Sequence, residues 1–242
     1  MEVPFARFFL DIILFHSISF DLQAAPWKDI LLGALAAVVL QLMLGLPFLL
    51  QHPRLYLSKA FEFSRIFLLK WSVNWAFLPE DIFCSKALAG CLLGAHLSLL
   101  LLFAHYKWCK EDGGLLRLLL RRLKGQGQPE MTLKQDSAEQ ADSAKRMLAV
   151  VFSGNLIGIA CARTLHFQFY SWYFHSVPLL LWHAEMFSPL RIVVFVCIEV
   201  VWNTFPPATW SSACLLFCHL TMLFELYNFS NWSAPKAPSK RV

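Results

Sequence analysis

Charge is scarce in this sequence. Asp, Glu, Lys and Arg supply 15% of its 242 residues, against about 25% in soluble globular domains. Residues 30–51, 87–106, 164–184 and 200–224 contain none of the four. The motifs of many soluble enzymes are missing too. There is no HExxH for a catalytic zinc, no GxxxxGK[ST] or GxGxxG for nucleotide phosphates, and no GxSxG nucleophile turn. Seven cysteines include no CxxC, so neither a redox dithiol nor a zinc ribbon is indicated. No DxD pair stands ready to hold a metal against a sugar nucleotide. The net charge of +5 is spread over loops, which gives no reason to expect nucleic-acid binding.

What is present in quantity is apolar: 57% of the chain, with a mean hydropathy of +0.53. A membrane span needs about 20 apolar residues, with a range of roughly 17–25. Six spans are expected, at 30–50, 87–106, 147–163, 171–187, 189–205 and 208–227. The third is short, but Lys145, Arg146 and Arg163 can snorkel from its ends. Pro206-Pro207 divides the last long apolar region into two arms. The expected fold is an all-α polytopic bundle. Residues 1–28 form a separate N-terminal segment whose apolar part, 3–20, is interrupted by Arg7, Asp11 and His16. Residues 29–228 form the multi-span domain, and 229–242 a polar tail.

Positive charge orients the spans. With the N-terminus in the cytosol, 15 Lys/Arg fall on the cytosolic side and six on the other. The loop 51–86 and the junction at 163–175 then lie outside the cytosol, and the loop 107–146 inside it. Within the inner loop, GGLLRLLLRRLKG at 113–125 puts Arg117, Arg121 and Lys124 on one helical face, suited to an anionic leaflet. Residues 126–146 read as a polar linker. In the outer loop, 51–70 suits a helix lying in the interface.

The most informative stretch is RTLHFQFYSWYFHSVPLLLW, residues 163–182. Aromatic rings favour the membrane boundary, but a plain loop does not need Arg163, His166, Gln168, Tyr170, Trp172 and His175 together. These residues are candidates for a ring-lined polar pocket, with arginine and histidine on phosphate oxygens and rings on sugar. Arg163 and His166 share a face if the preceding helix continues. The competing reading is an aromatic belt with hydrogen-bonded histidines. Lys70, Asn74 and Trp75 are a second candidate group: at helical spacing Lys70 and Asn74 form one stripe, and Trp71 and Trp75 its neighbour. An interfacial anchor is the alternative there.

Glu199 sits within an apolar run, with Asn203 four residues on. An acid in lipid is costly and is paired or functional, so a pair with Asn203 or another helix stands beside a catalytic role. The cysteines read as small packing residues, with a Cys84–Cys161 bridge as an alternative. Gly90/Gly94 and Gly154/Gly158 are GxxxG pairs that let helices approach. His96 and His105 read as core or boundary histidines. The acceptor patterns at Asn228 and Asn231 fall on the cytosolic side and are expected to stay unmodified. No metal site or cofactor is expected.

KWSVNWAFLPE at 70–80, SGNLIGIACARTLHFQFYSWYFHSVPLLLW at 153–182 and EVVWNTFPPATWSSACLLFCH at 199–219 resemble the dolichyl-phosphate-mannose-dependent alpha-1,3-mannosyltransferases. The resemblance runs over roughly residues 28–230. It implies a GT-C-type glycosyltransferase of the endoplasmic reticulum membrane. The family adds mannose to dolichyl-diphosphate-linked Man5GlcNAc2 in N-glycan precursor assembly, so donor and acceptor both hang from dolichol. Family members invert the anomeric carbon, and a carboxylate deprotonates the acceptor.

The family's acidic motif, in a lumenal loop upstream, has no match here: residues 1–27 differ, and Glu62, Glu80 and Asp81 lie in no such motif. The resemblance therefore implies a chain truncated at its N-terminus, with the catalytic base outside it and activity impaired. The alternative from another class is a non-catalytic membrane protein that binds lipid or glycosylation machinery. A small-solute transporter coupled through Glu199 is disfavoured, because no internal repeat is present.

Overall fold

The computed structural model describes residues 27–60, 69–124, 137–184 and 186–229. The apolar segment 3–20, the interfacial stretch 61–68, the linker 125–136 and most of the tail lie outside them. The described residues contain helices and no strand. The chain divides into two compact units, residues 1–66 with 117–130, and residues 67–116 with 131–242.

In the first unit α1 (Trp27–Gln51) is followed by α2 (Pro53–Ala60). The Tyr56 ring of α2 stacks on Phe48 of α1 at 6.0 Å. Most of α1 is exposed. That is the surface expected of a helix passing through lipid, where apolar contact carries no penalty.

The second unit is built from α3 (Glu80–Phe83), α4 (Lys86–Phe103), α6 (Ser137–Cys161), α7 (Ser176–His183), α8 (Ser188–Trp202) and α9 (Thr209–Asn228). Between α4 and α6 comes α5 (Leu115–Leu123), whose length of chain passes from one unit to the other. Leu156, Ile157 and Ile159 of α6, Leu180 of α7, Ile198 of α8 and Leu215 of α9 are wholly buried. Lipid tails are as apolar as leucine, so this core is held by close packing and hydrogen bonds.

Four helical stretches are long and apolar enough to cross a membrane: Leu31–Gln51, Lys86–Trp108, Ala144–Cys161 and Thr209–Asn228. They match four of the six expected spans, and the chain is a membrane protein. The other two differ. Residues 171–187 do not form one helix. A 3-10 helix, Phe167–Trp172, gives way to the eight-residue α7, which ends at His183. Crowded aromatic side chains and the bond from Ser171 Oγ to the Gln168 carbonyl, 2.8 Å, favour the tighter winding. Helix α8 has 15 residues, about 22 Å at 1.5 Å per residue, short of the ~30 Å apolar layer.

Other expectations are corrected. Residues 137–146 are helical, the first turns of α6, because Ala, Glu, Gln and Lys are good helix formers. The seven cysteines form no disulfide, so Cys84 and Cys161 are not bridged. Gly154 and Gly158 are buried, whereas Gly90 and Gly94 are exposed, with nothing within 4 Å of an added Cβ. Residues 113–125 do carry a helix, α5.

Within the second unit the helix ends, apart from the start of α6, sort into two levels. At one, Arg146 of α6 bonds Glu111 at 2.7 Å and the Trp108 carbonyl at 3.0 Å. His183 at the end of α7 meets Phe229 just past α9. At the other, α6 ends, α8 ends, and α4 and α9 begin. The candidate residues are distributed around this second level.

Candidate functional site

A helix C-terminus leaves carbonyls without intrahelical partners, and burying them unpaired is costly. The end of α6 is buried, and Asn74 resolves the problem. Its Nδ2 donates to the carbonyls of Ala162 at 2.8 Å and Ile159 at 3.1 Å, with Ala160 at 3.4 Å. Trp75 Nε1 adds a bond to Ala160 O at 3.2 Å. The rest of the 72–76 segment also reaches outside itself, with one internal bond from Ser72 Oγ to the Asn74 carbonyl at 2.8 Å. Ser72 Oγ donates to Arg163 O, Val73 N to Leu165 O, and Ala76 N to Ser212 Oγ.

The expected Lys70/Asn74 helical stripe is therefore absent. After a single turn, Leu69–Trp71, the chain is a loop stitched to α6 and α9. Asn74 is wholly buried and Lys70 exposed. Trp75 adopts a left-handed backbone, φ 58°, uncommon for a bulky residue, which these cross-segment bonds hold in place.

Arg163 and His166 do not share a helical face either, because α6 stops at Cys161. Arg163 Nη1 donates to the carbonyls of Phe83 and Ser85 at 3.2 and 3.0 Å, and its guanidinium lies 5.8 Å from the centre of the Phe83 ring. It ties the segment to the junction of α3 and α4, where Ser85 caps α4 by accepting from Leu88 N.

His166 points the other way, its Nδ1 2.9 Å from the Trp71 carbonyl. A carbonyl only accepts, so Nδ1 carries the hydrogen and Nε2 of the neutral ring is left as an acceptor. Lys70 lies over the Trp71 ring at 5.2 Å. Lys70, Trp71 and His166 thus form one edge that combines a cation, a ring and an imidazole.

Beyond His166 the rings form a shelf. Phe169 meets Trp172 edge-on at 4.4 Å, and Phe167 touches Trp202 and Phe205. Tyr170 stacks on Trp202 at 5.2 Å, 18° from parallel, and its hydroxyl donates to the Glu199 carboxylate. Burial first, and then the Glu199 hydrogen bond, raise the Tyr170 hydroxyl above its ordinary pKa. Asn203 donates to the Glu199 backbone carbonyl at 2.8 Å, so Glu199 is paired through its side chain with the aromatic segment. Gln168 is exposed. His175 is exposed as well, edge-on to Phe152 at 5.4 Å, and stands apart from the Lys70 edge.

Beneath the shelf lies a polar layer that the sequence reading missed. Trp202 Nε1 donates to the wholly buried Tyr173 hydroxyl at 2.6 Å, and that hydroxyl is 3.0 Å from His219 Nε2. Asn155 Nδ2 donates to the Trp172 carbonyl at 3.2 Å. Asn155 and His219 were legible as polar residues inside the charge-free runs 147–162 and 200–224, where they need partners. Nothing in the sequence paired them with Tyr173 and Trp172.

The nine candidate residues therefore divide by geometry. Arg163, Asn74 and Trp75 hold backbone carbonyls. Lys70 and His166 form the cationic edge, Tyr170 and Trp172 belong to the ring shelf, and Gln168 and His175 are open to contact. Among the described residues, acids at this level are Glu80, Asp81 and Glu199. The arrangement is suited to binding an anion beside a ring-stacking group. Among the described residues, side chains grouped closely enough to hold a metal are Cys197, Cys214 and Cys218, which are not part of segment 163–175.

A family model described as ALG3 protein matches residues 14–212. The chain is 43% identical over 200 residues to the Dol-P-Man:Man(5)GlcNAc(2)-PP-Dol alpha-1,3-mannosyltransferase of Arabidopsis thaliana, covering 82% of this chain and 44% of that protein. Against the enzyme of the same name from Mus musculus, identity is 44% over 208 residues, covering 84% and 45%. For the Homo sapiens enzyme it is 42% over 191 residues, covering 78% and 41%. The chain thus spans somewhat under half the length of these curated relatives. No solved structure matches it.

Proposed function

We infer, because this chain belongs to the ALG3 protein family, that it forms part of the membrane domain of an inverting glycosyltransferase. The reaction moves mannose from dolichyl-phosphate mannose, in alpha-1,3 linkage, to dolichyl-diphosphate Man5GlcNAc2. It takes place on the lumenal side of the endoplasmic reticulum membrane. The relatives' names specify this donor and this acceptor. The acceptor hydroxyl attacks the anomeric carbon, and dolichyl phosphate leaves.

The observation that carries this reading on the structural side is the edge formed by Lys70, Trp71 and His166. A lipid phosphate needs a cation and hydrogen-bond donors close to the membrane boundary, and a sugar needs a ring face. Lys70 offsets phosphate charge. His166 presents Nε2 to a sugar hydroxyl as the neutral ring, or to a phosphate oxygen when protonated. Tyr170 and Trp172 supply ring surface, and Gln168 and His175 lie open for further contacts. Arg163, Asn74 and Trp75 hold the two segments in register. None of these residues is assigned as the base that deprotonates the acceptor.

A second reading, a membrane protein that binds the lipid-linked sugar without transferring it, draws support from the same geometry, since every residue so placed is a binding or positioning group. One assay separates the two. The purified chain in lipid nanodiscs is given dolichyl-phosphate mannose and the lipid-linked acceptor. Mannose transfer supports an enzyme, binding without transfer supports the second reading, and neither binding nor transfer refutes both.

A further inference from the structure

Cys197 of α8 and Cys214 and Cys218 of α9 bring their sulfurs within 4.8 Å of one another. Cys214 and Cys218 are four residues apart and so lie on one face of α9. Cys197 approaches from α8. All three are free thiols, Cys218 buried and the others half-buried. Cys218 is halfway along α9, deep in the bundle. Packing alone asks only for small side chains here and gives no reason for three sulfurs from two helices to converge.

We propose that this cluster is a binding site for a soft monovalent cation, copper(I), separate from the mannose-transfer site. Sulfur ligands select soft ions over calcium or magnesium. Structural zinc sites close with four ligands, and three side chains converge here. Copper(I) is satisfied by two or three sulfurs. Charge points the same way. Residues 192–198 and 200–224 contain no Asp, Glu, Lys or Arg, and Glu199 between them is engaged by Tyr170; net charge within a bilayer is costly. A divalent ion reaches neutrality only if two thiols ionise. Copper(I) needs one: the ion replaces a single thiol proton, which leaves to solvent, while the other two sulfurs coordinate as neutral thiols. No electron is transferred. Three sulfurs at about 2.3 Å from an ion stand roughly 4 Å apart, so the observed separation closes by small side-chain rotations.

The test uses the purified full chain in detergent, reduced and free of oxygen, titrated with copper(I) against a chromogenic copper(I) chelator. The expected result is one equivalent held against the chelator, with the luminescence of a solvent-shielded copper(I)–thiolate. Cys197→Ser and Cys218→Ser should each weaken retention by about tenfold or more, 1.4 kcal/mol, while Cys91→Ser leaves it unchanged. A triple serine variant at the three positions that retains copper as well as the parent overturns the proposal. A second measurement needs no substitution. In the unaltered chain, copper(I) should protect Cys197, Cys214 and Cys218 from alkylation as read by mass spectrometry, and equal labelling with and without the ion overturns it.

Discussion

The Tyr170 hydroxyl donates to the Glu199 carboxylate while the Tyr170 ring lies on Trp202, three residues further along the same helix. Positions i and i+3 share a helical face, so α8 presents an acceptor and a flat ring side by side. The 3-10 segment is thereby docked on α8 through both ends of one side chain, and Glu199 acquires a partner within the apolar part of the chain.

The first prediction follows from that pairing. A hydrogen bond to a charged group contributes about 1.5–3 kcal/mol, and removing one partner leaves the other unsatisfied. Tyr170→Phe and Glu199→Leu should each lower stability by about 1–3 kcal/mol. The double variant should cost clearly less than the two together, because the second change then removes an orphan. Thermal unfolding of the four proteins in one detergent measures this, and strict additivity would show that the two groups do not interact.

Alkali should act on the same contact. The folded state raises the Tyr170 pKa, through burial and the Glu199 bond. Folding therefore favours the protonated hydroxyl. Its contribution is complete below the ordinary tyrosine value of about 10 and is lost as pH rises toward the elevated folded value. Melting temperature should fall as pH passes above about 10, and Tyr170→Phe should fall less steeply. Parallel curves for the two proteins would contradict this.

Asn74 separates holding from binding. Its amide serves carbonyls at the end of α6 and is wholly buried. Asn74→Ala should cost about 2–4 kcal/mol, since several acceptors lose their donor together. Asn74→Asp should be at least as damaging, because a carboxylate has no donor and would face the same oxygens. His166→Ala, by contrast, removes one bond at a half-exposed ring and should alter the melting temperature little. In an active relative carrying the equivalent change, it should slow mannose transfer about tenfold, 1.4 kcal/mol of transition-state stabilisation. Normal transfer in that variant would remove His166 from the site.

How far the sequence could be read depended on what each residue needed. Composition alone reached the all-helical membrane class, and four spans followed from length and apolarity. The stretch 171–187 reads as a span because the run 164–184 lacks Asp, Glu, Lys and Arg, and a count of charge treats Tyr and Trp as apolar. It does not register that Tyr170 and Tyr173 demand hydrogen-bond partners, which Glu199 and Trp202 of α8 and His219 of α9 supply. Lys70 and Asn74 were read as a helical stripe from spacing that a loop shares. The bonds that define that loop reach 85 to 136 residues along the chain, and no local pattern encodes such partners. His166 and Tyr170 stood out for the opposite reason: polar groups among rings in a charge-free run are visible without knowing what they touch.

Orientation supplies the last prediction. Under the proposed function, the level carrying Lys70 and His166 faces the compartment that holds the lipid-linked sugar. Fifteen of the 21 Lys/Arg belong to the segments assigned to the cytosol, the bias that sets topology. A glycosylation acceptor tag inserted near Gln168 should therefore be modified in microsomes, and one near Glu130 should not. The two sites serve as mutual controls, since each reports on a different side of the same protein. Modification at Glu130 without modification at Gln168 would invert the chain. Lys70 and His166 would then be out of reach of a lumenal sugar, whatever their geometry.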